Sequence, residues 1–159
     1  MGGDDWAGRG VLDFTSNEHY SAPAGPDYPS RAAMSRELMR SLAGGQPWIL
    51  MEQAPGAVNW RERNAAMPQG VHRAMSLQAV ARGADGIMQF QWRQSISGAE
   101  KFHSAMVPHG GEDTPIFRQT EALGVELATL GPVVGARLSS HGAIRFDWHR
   151  RWVHEREAS

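Results

Sequence analysis

Pro47-Trp48-Ile49-Leu50-Met51-Glu52 is a short apolar run that ends abruptly on a carboxylate. Gly44-Gly45 stand just before it, and Gln53-Ala54-Pro55-Gly56 follow it. A continuous apolar run of this length between turn residues reads as a strand covered on both faces, the kind found inside parallel sheets. A strand over 47–51 puts Glu52 at its C-terminal tip.

Working outward, the chain alternates. Upstream, Val11-Leu12-Asp13-Phe14-Thr15-Ser16 reads as a short strand. A loop broken by Pro23, Gly25, Pro26 and Pro29 leads to a helix predicted over 30–43. Ser30 is its expected N-cap, Ala33, Met34, Leu38 and Leu42 have helical spacing, and Gly44-Gly45 end it. Downstream, 53–69 is irregular and rich in Pro, Asn and Gly. A second helix is expected over 70–82, with Ala74, Met75, Leu77 and Ala81 near one face and Gly83 closing it. A strand over 84–90 follows, then a long loop over 94–114. A third helix is expected over 115–130, with Phe117, Leu123, Val125 and Leu127 as core contacts. Gly131-Pro132 breaks it, and the tail holds one more expected strand, Ala143-Ile144-Arg145-Phe146-Asp147-Trp148.

The order β-α-β-α-β-α argues for parallel βαβ units, an α/β fold. A complete (β/α)8 barrel usually needs about 250 residues, and this chain has 159. The expectation is therefore a partial TIM barrel over 1–132 and the start of a second domain over 133–159. Three strands cannot close, so two sheet edges would be bare and the chain by itself should be marginal, oligomeric or aggregation-prone.

Composition narrows the function classes. Net charge is −1, and no Lys/Arg cluster suggests a nucleic-acid footprint. No apolar stretch has membrane-spanning length. The start, Met1-Gly2-Gly3-Asp4-Asp5, lacks the basic and apolar regions of a secretory signal, so a cytoplasmic protein is expected. Without cysteine there is no disulfide and no Cys-based metal site. No cofactor and no metal are expected. Six Trp in a chain of this size suggest a core or cleft lined with indoles.

Barrel enzymes carry their catalytic groups at the C-terminal tips of strands, which singles out Glu52. Its plainer reading is a helix cap, or a partner of Arg61 or Arg63. Trp60 is either a flat platform for a ligand or a packed loop anchor. Glu100 and His103 stand three apart, so one helical turn aims them the same way; they are substrate ligands, a surface pair, or half a metal site. Trp48 and Trp92 read as core or cleft wall, and Met34, Met39, Met51, Met75 and Met88 as core filler.

Five segments together resemble the family 42 glycoside hydrolases, the microbial β-galactosidases. Ser16-Asn17-Glu18-His19-Tyr20 resembles the tip of the family's sixth barrel strand, with Glu18 where Asp is usual. Gly44-Gly45-Gln46-Pro47-Trp48-Ile49-Leu50-Met51-Glu52-Gln53, with Val58-Asn59-Trp60-Arg61-Glu62-Arg63-Asn64 after it, resembles the seventh. Phe90-Gln91-Trp92-Arg93-Gln94-Ser95 resembles the eighth, and Gly98-Ala99-Glu100-Lys101-Phe102-His103-Ser104-Ala105-Met106 the galactose-binding loop. Phe146-Asp147-Trp148 resembles the entry into a domain that takes part in trimer formation.

The resemblance implies retaining hydrolysis of terminal β-galactose with Glu52 as nucleophile. It also implies Trp60 in the sugar subsite, Glu100 and His103 on galactose hydroxyls, Tyr20 near the nucleophile, and supporting roles for Arg93 and Asn64. The implied partner is a galactoside, and the implied oligomer is a trimer. Retention needs a second carboxyl group, which the family takes from an Asn-Glu pair at strand four. Asn17-Glu18 belongs to the strand-six motif instead, so the acid/base is expected upstream of Met1 and the isolated chain is expected to be inactive. The alternative is a non-catalytic remnant that binds sugar or serves assembly.

Overall fold

The computed structural model describes residues 12–21, 23 and 25–147. At its centre is the expected apolar strand, here β2 (Trp48–Glu52). It pairs in parallel with β1 (Ser16–Glu18) on one side and β3 (Ala84–Ile87) on the other. Parallel neighbours require crossovers, and the chain supplies α1 (Tyr28–Leu42) between β1 and β2 and α2 (Val71–Val80) between β2 and β3. A third helix, α3 (Pro115–Ala128), follows β3 and a long loop. The α/β reading holds for these elements.

The core forms where β2 meets the helices. Trp48 and Leu50 are fully buried with Ala79 and Ala84, and Met39, Ala43 and Ile87 close the cluster. The Trp48 indole N–H is satisfied by the Arg82 carbonyl at 2.9 Å, as a buried indole requires. Gly83 turns the chain from α2 into β3 at φ 86°, a conformation a Cβ disfavours.

Several elements differ from expectation, each for a physical reason. The first strand begins at Ser16, because pairing with β2 runs only from the Thr15 carbonyl to Glu18. Leu12 and Phe14 are 65% and 53% exposed; no strand among the described residues covers them, and Val11 lies outside those residues. Helix α1 starts at Tyr28, with Asp27 as N-cap. Pro29 thus sits in the first turn, where its missing N–H costs nothing, and Ser30 only donates to the Asp27 carbonyl.

The buried face of α2 is His72, Met75, Ser76 and Ala79, while Ala74 and Ala81 are exposed. Two polar residues are buried here because they are paired. Ser76 Oγ donates to the His72 carbonyl and accepts from Gln53 Nε2 at 2.6 Å, and the His72 ring meets Gln89 Oε1. Strand β3 ends at Ile87, which leaves Met88 exposed instead of in the core. In α3 Leu123 is buried but Val125 is exposed. The last expected strand does not form over 143–147, where Ile144 is 87% exposed and no ladder partner exists among the described residues. Trp148 lies outside those residues.

Candidate active site

The site gathers at the C-terminal ends of the three strands. Glu52 ends β2, and its own carbonyl accepts from the His19 N–H just beyond β1 at 2.9 Å. On the other side the Phe90 N–H donates to the Gln53 carbonyl at 3.0 Å. Backbone pairing therefore continues one residue past β1 and three past β3, and holds Tyr20, Glu52 and Phe90 on neighbouring tips.

The long loop after β3 is tied at both ends. Met106 and Val107 donate to the Gln91 and Trp92 carbonyls at 2.8 Å each. Its far part docks on the segment after β2. The Ser104 N–H donates to the Ala57 carbonyl at 2.9 Å, the Gly56 N–H donates to Ser104 Oγ at 3.0 Å, and the Asn59 amide donates to the Ala99 carbonyl. Close approach at Gly56 leaves no room for a side chain: a Cβ there would stand 3.0 Å from both Ser104 Cβ and Ile116 Cδ1.

Tyr20 is the hub. Its hydroxyl donates to Glu52 Oε2 at 2.5 Å. Its ring meets Trp60 edge-on at 5.6 Å between centroids and His103 edge-on at 5.8 Å. Phe90 packs edge-on against the other side of His103 at 5.0 Å. Burial pushes the Tyr20 phenol above its ordinary range, and the hydrogen bond to Glu52 and the charges of Glu52, Glu18 and Glu100 add to the shift. Of the five residues singled out in the sequence, Tyr20 touches three others, Glu52, Trp60 and His103, and the charge of the fifth, Glu100, is felt at Tyr20.

Glu100 and His103 lie on one hydrogen-bonded turn, with the His103 N–H donating to the Glu100 carbonyl at 3.0 Å. His103 is 1% exposed. Its Nδ1 meets the Ser104 carbonyl at 2.8 Å; a carbonyl only accepts, so Nδ1 carries the hydrogen. His103 Nε2 and Glu100 Oε2 are buried with no hydrogen-bond partner among the described residues. Leaving such groups unpaired is costly, and a ligand rich in hydroxyls would satisfy both. The surface-pair reading fails for a histidine this buried. Among the described residues no group of three His, Asp or Glu side chains could hold a metal ion.

Glu52 forms no ion pair among the described residues. Arg61 instead donates to the Tyr20 carbonyl and lies 4.8 Å over the Trp60 ring. Trp60 is 56% exposed, with an edge-on contact to Tyr20 and the Arg61 guanidinium over its ring. Trp48 is core, whereas Trp92 is largely exposed. Glu18 stands directly opposite Glu52 in the β1–β2 register. Sequence reasoning missed Phe90 as a wall of the histidine, Ser104 as the loop's anchor, and Arg61 as more than a partner for Glu52. The adjacency of Arg61 to Trp60 was the available signal.

Comparison with known proteins gives the family. A model of the Glyco_hydro_42 family, described as β-galactosidase, matches residues 2–130. A β-galactosidase of Arthrobacter sp. is 51% identical over 144 residues, covering 91% of this chain and 21% of that protein. One from Geobacillus kaustophilus is 54% identical over 145 residues, with the same two coverages. Among solved structures, the β-galactosidase from Rahnella sp. R3 superposes with a TM-score of 0.89 at 42% identity, over 95% of this chain and 23% of that one. The chain thus spans about a fifth of the length of the curated relatives it matches. With the family model covering most of its residues, the chain belongs to glycoside hydrolase family 42.

Proposed function

We propose that this chain is the nucleophile-bearing segment of a retaining β-galactosidase. It supplies about strands six to eight of a (β/α)8 catalytic barrel, with 133–159 opening the next domain. The observation that carries the reading is the Tyr20–Glu52 contact at the tip of the central strand, walled by Trp60 and His103.

Retaining hydrolysis needs a carboxylate on one side of the anomeric carbon and a protonated carboxyl group about 5–5.5 Å away on the other. Glu52 fits the first role. Tyr20 holds Oε2, and no donor among the described residues engages Oε1, which is free to attack. The bond from Oε1 to the anomeric carbon forms as the glycosidic C–O bond breaks, and the departing oxygen takes the acid's proton. Water then cleaves the galactosyl–Glu52 ester. Trp60 offers a flat face to the apolar side of the sugar, and the unpaired atoms of Glu100 and His103 receive its hydroxyls. The acid/base comes from polypeptide outside these 159 residues, so the chain on its own turns over slowly or not at all. General acid–base help is typically worth about 10²–10⁴ in rate.

Rapid mixing of the purified chain with an aryl β-galactoside bearing a very good leaving group tests this, because such a substrate needs little protonation. The expected result is a burst approaching one phenolate per chain, lost in Glu52→Ala. Galactose binding without a burst would favour a sugar-binding remnant with no chemistry of its own.

A further inference from the structure

Neither Tyr20, which bonds Glu52, nor Trp60, which packs on Tyr20, belongs to a regular element. Tyr20 lies two residues past the end of β1 and Trp60 eight past the end of β2. Trp60 is more than half exposed, so burial does little to fix it. One side chain reaches both. Arg61 Nη2 donates to the Tyr20 carbonyl across 41 positions of sequence, and the guanidinium carbon stands 4.8 Å from the centre of the Trp60 ring. The arginine's own backbone is fixed in turn, since its N–H donates to Asn64 Oδ1 at 2.9 Å. A planar guanidinium can present an N–H edge to a carbonyl while its face lies on an indole; an ammonium cannot do both.

We propose that Arg61 is a positioning residue for the reaction: by clamping the Tyr20 backbone to the Trp60 indole, it sets where the Tyr20 hydroxyl meets Glu52 and how the sugar platform faces it. This rests on the reading of Glu52 as the nucleophile. Nothing in it requires Arg61 to touch substrate.

Tyr20 itself reports the clamp. The chain has two tyrosines, so in a Tyr28→Phe background the remaining phenol titration belongs to Tyr20. The charged groups around that phenol are Glu52, Glu18 and Glu100, with Arg61 held on its carbonyl and the His103 ring against its own. An unperturbed tyrosine titrates near about 10, and Tyr20 in the intact protein should titrate well above that.

Removing a nearby cation can only push a phenol higher, whereas losing the hydrogen bond to Glu52 brings it down. The two effects have opposite signs. Positioning therefore predicts that Arg61→Met lowers the Tyr20 titration by about one pH unit or more, with the circular dichroism of the folded chain unchanged. Arg61→Lys, which keeps the charge and is the gentler change to the fold, should give a smaller fall. It decides the matter if the Met variant loses its structure. A titration that stays put or rises in the folded variants, or a Tyr20 that already titrates near about 10 in the intact protein, overturns the proposal.

Covalent labelling of Glu52 by a 2-fluoro-galactoside with a good leaving group provides the second readout. Arg61→Lys and Tyr20→Phe should each slow labelling about ten- to a hundredfold, and the double variant should be no slower than the slower single one. Fully multiplicative losses would mean that Arg61 does not act through Tyr20. If the intact chain is not labelled at all, the nucleophile reading falls, and the phenol titration still decides what Arg61 does to Tyr20.

Discussion

At the scale of single residues, the sharpest claim concerns two unpaired polar atoms of the loop that packs on Tyr20. Glu100 Oε2 and His103 Nε2 are buried without partners among the described residues, and a site built to pair with hydroxyls discriminates strongly for them. Glu100→Gln and His103→Ala should each weaken galactose binding at least about tenfold, read by tryptophan fluorescence. Glu100→Gln keeps the side chain's size, whereas His103→Ala also lowers thermal stability, because it empties a buried space between Tyr20 and Phe90 and loses the bond to the Ser104 carbonyl. The histidines behind the strand tips make a separate prediction. His19 is lowered to about 4, chiefly by burial and then by the Arg36 and Arg61 charges, and His72 is lowered by burial. Both have folded values below the unfolded one, so the unfolded chain binds more protons in the intervening window. The His19 contribution is complete above about pH 6.5 and is lost as pH falls toward about 4, with a slope approaching about 1.4 kcal/mol per pH unit, and His72 acts in the same direction. Melting temperatures across that range should fall in the intact chain and fall less steeply in His19→Asn.

At the scale of elements, β2 carries the fold and the turns aim the site. Leu50 is fully buried in the only strand among the described residues with neighbours on both sides. Leu50→Ala should cost about 2–5 kcal/mol, a large share of the roughly 5–15 kcal/mol that holds a domain together. Chemical denaturation would show it as a lowered midpoint or as a chain already unfolded. Gly83→Ala is a cleaner probe of backbone alone. A Cβ there meets only ordinary contacts at 3.8 Å or more, so the expected loss of about 1–2 kcal/mol comes from the left-handed φ. Gly56→Ala differs in kind, because its Cβ would crowd Ser104 and Ile116 at 3.0 Å. It should displace the loop that carries His103 and weaken galactose binding more than it lowers the melting temperature.

At the scale of the whole molecule, a three-stranded parallel sheet is an unusual thing to leave alone. Parallel sheets are normally buried on both faces, yet here β1 and β3 each have a free edge among the described residues. Leu12 and Phe14 are exposed just before β1, and Met88 just after β3. Unpaired edges flanked by apolar side chains recruit other chains. Sedimentation of the purified chain should therefore show concentration-dependent self-association. A monomer that melts in one sharp transition would contradict this. If the missing acid resides on polypeptide outside these residues, adding the remaining barrel of a family relative in trans should suppress association and raise hydrolysis of a poorly activated galactoside.

Much of this was legible in order along the chain. The run from Trp48 to Glu52 announced a buried strand with a carboxylate at its tip, because burial on both faces demands an unbroken apolar stretch. Alternation of such strands with helical spacing dictated parallel pairing, and the motifs carried the family. Element ends were less legible, since a strand stops where its partner stops and not where its apolar residues do. Thus β1 lies past Leu12 and Phe14, and the segment over 143–147 forms no strand. Polar residues in the core, His72 and Ser76, could not be placed without the neighbours that satisfy them. Which side chains meet was decided only in three dimensions. Tyr20, Glu52, Trp60 and His103 are scattered over more than eighty positions, and hydrogen bonds between separate strand tips and loops bring them to one point. Arg61 shows the limit most plainly: read along the sequence it was a possible partner for Glu52, and folding turned it to the Tyr20 carbonyl and the Trp60 face instead.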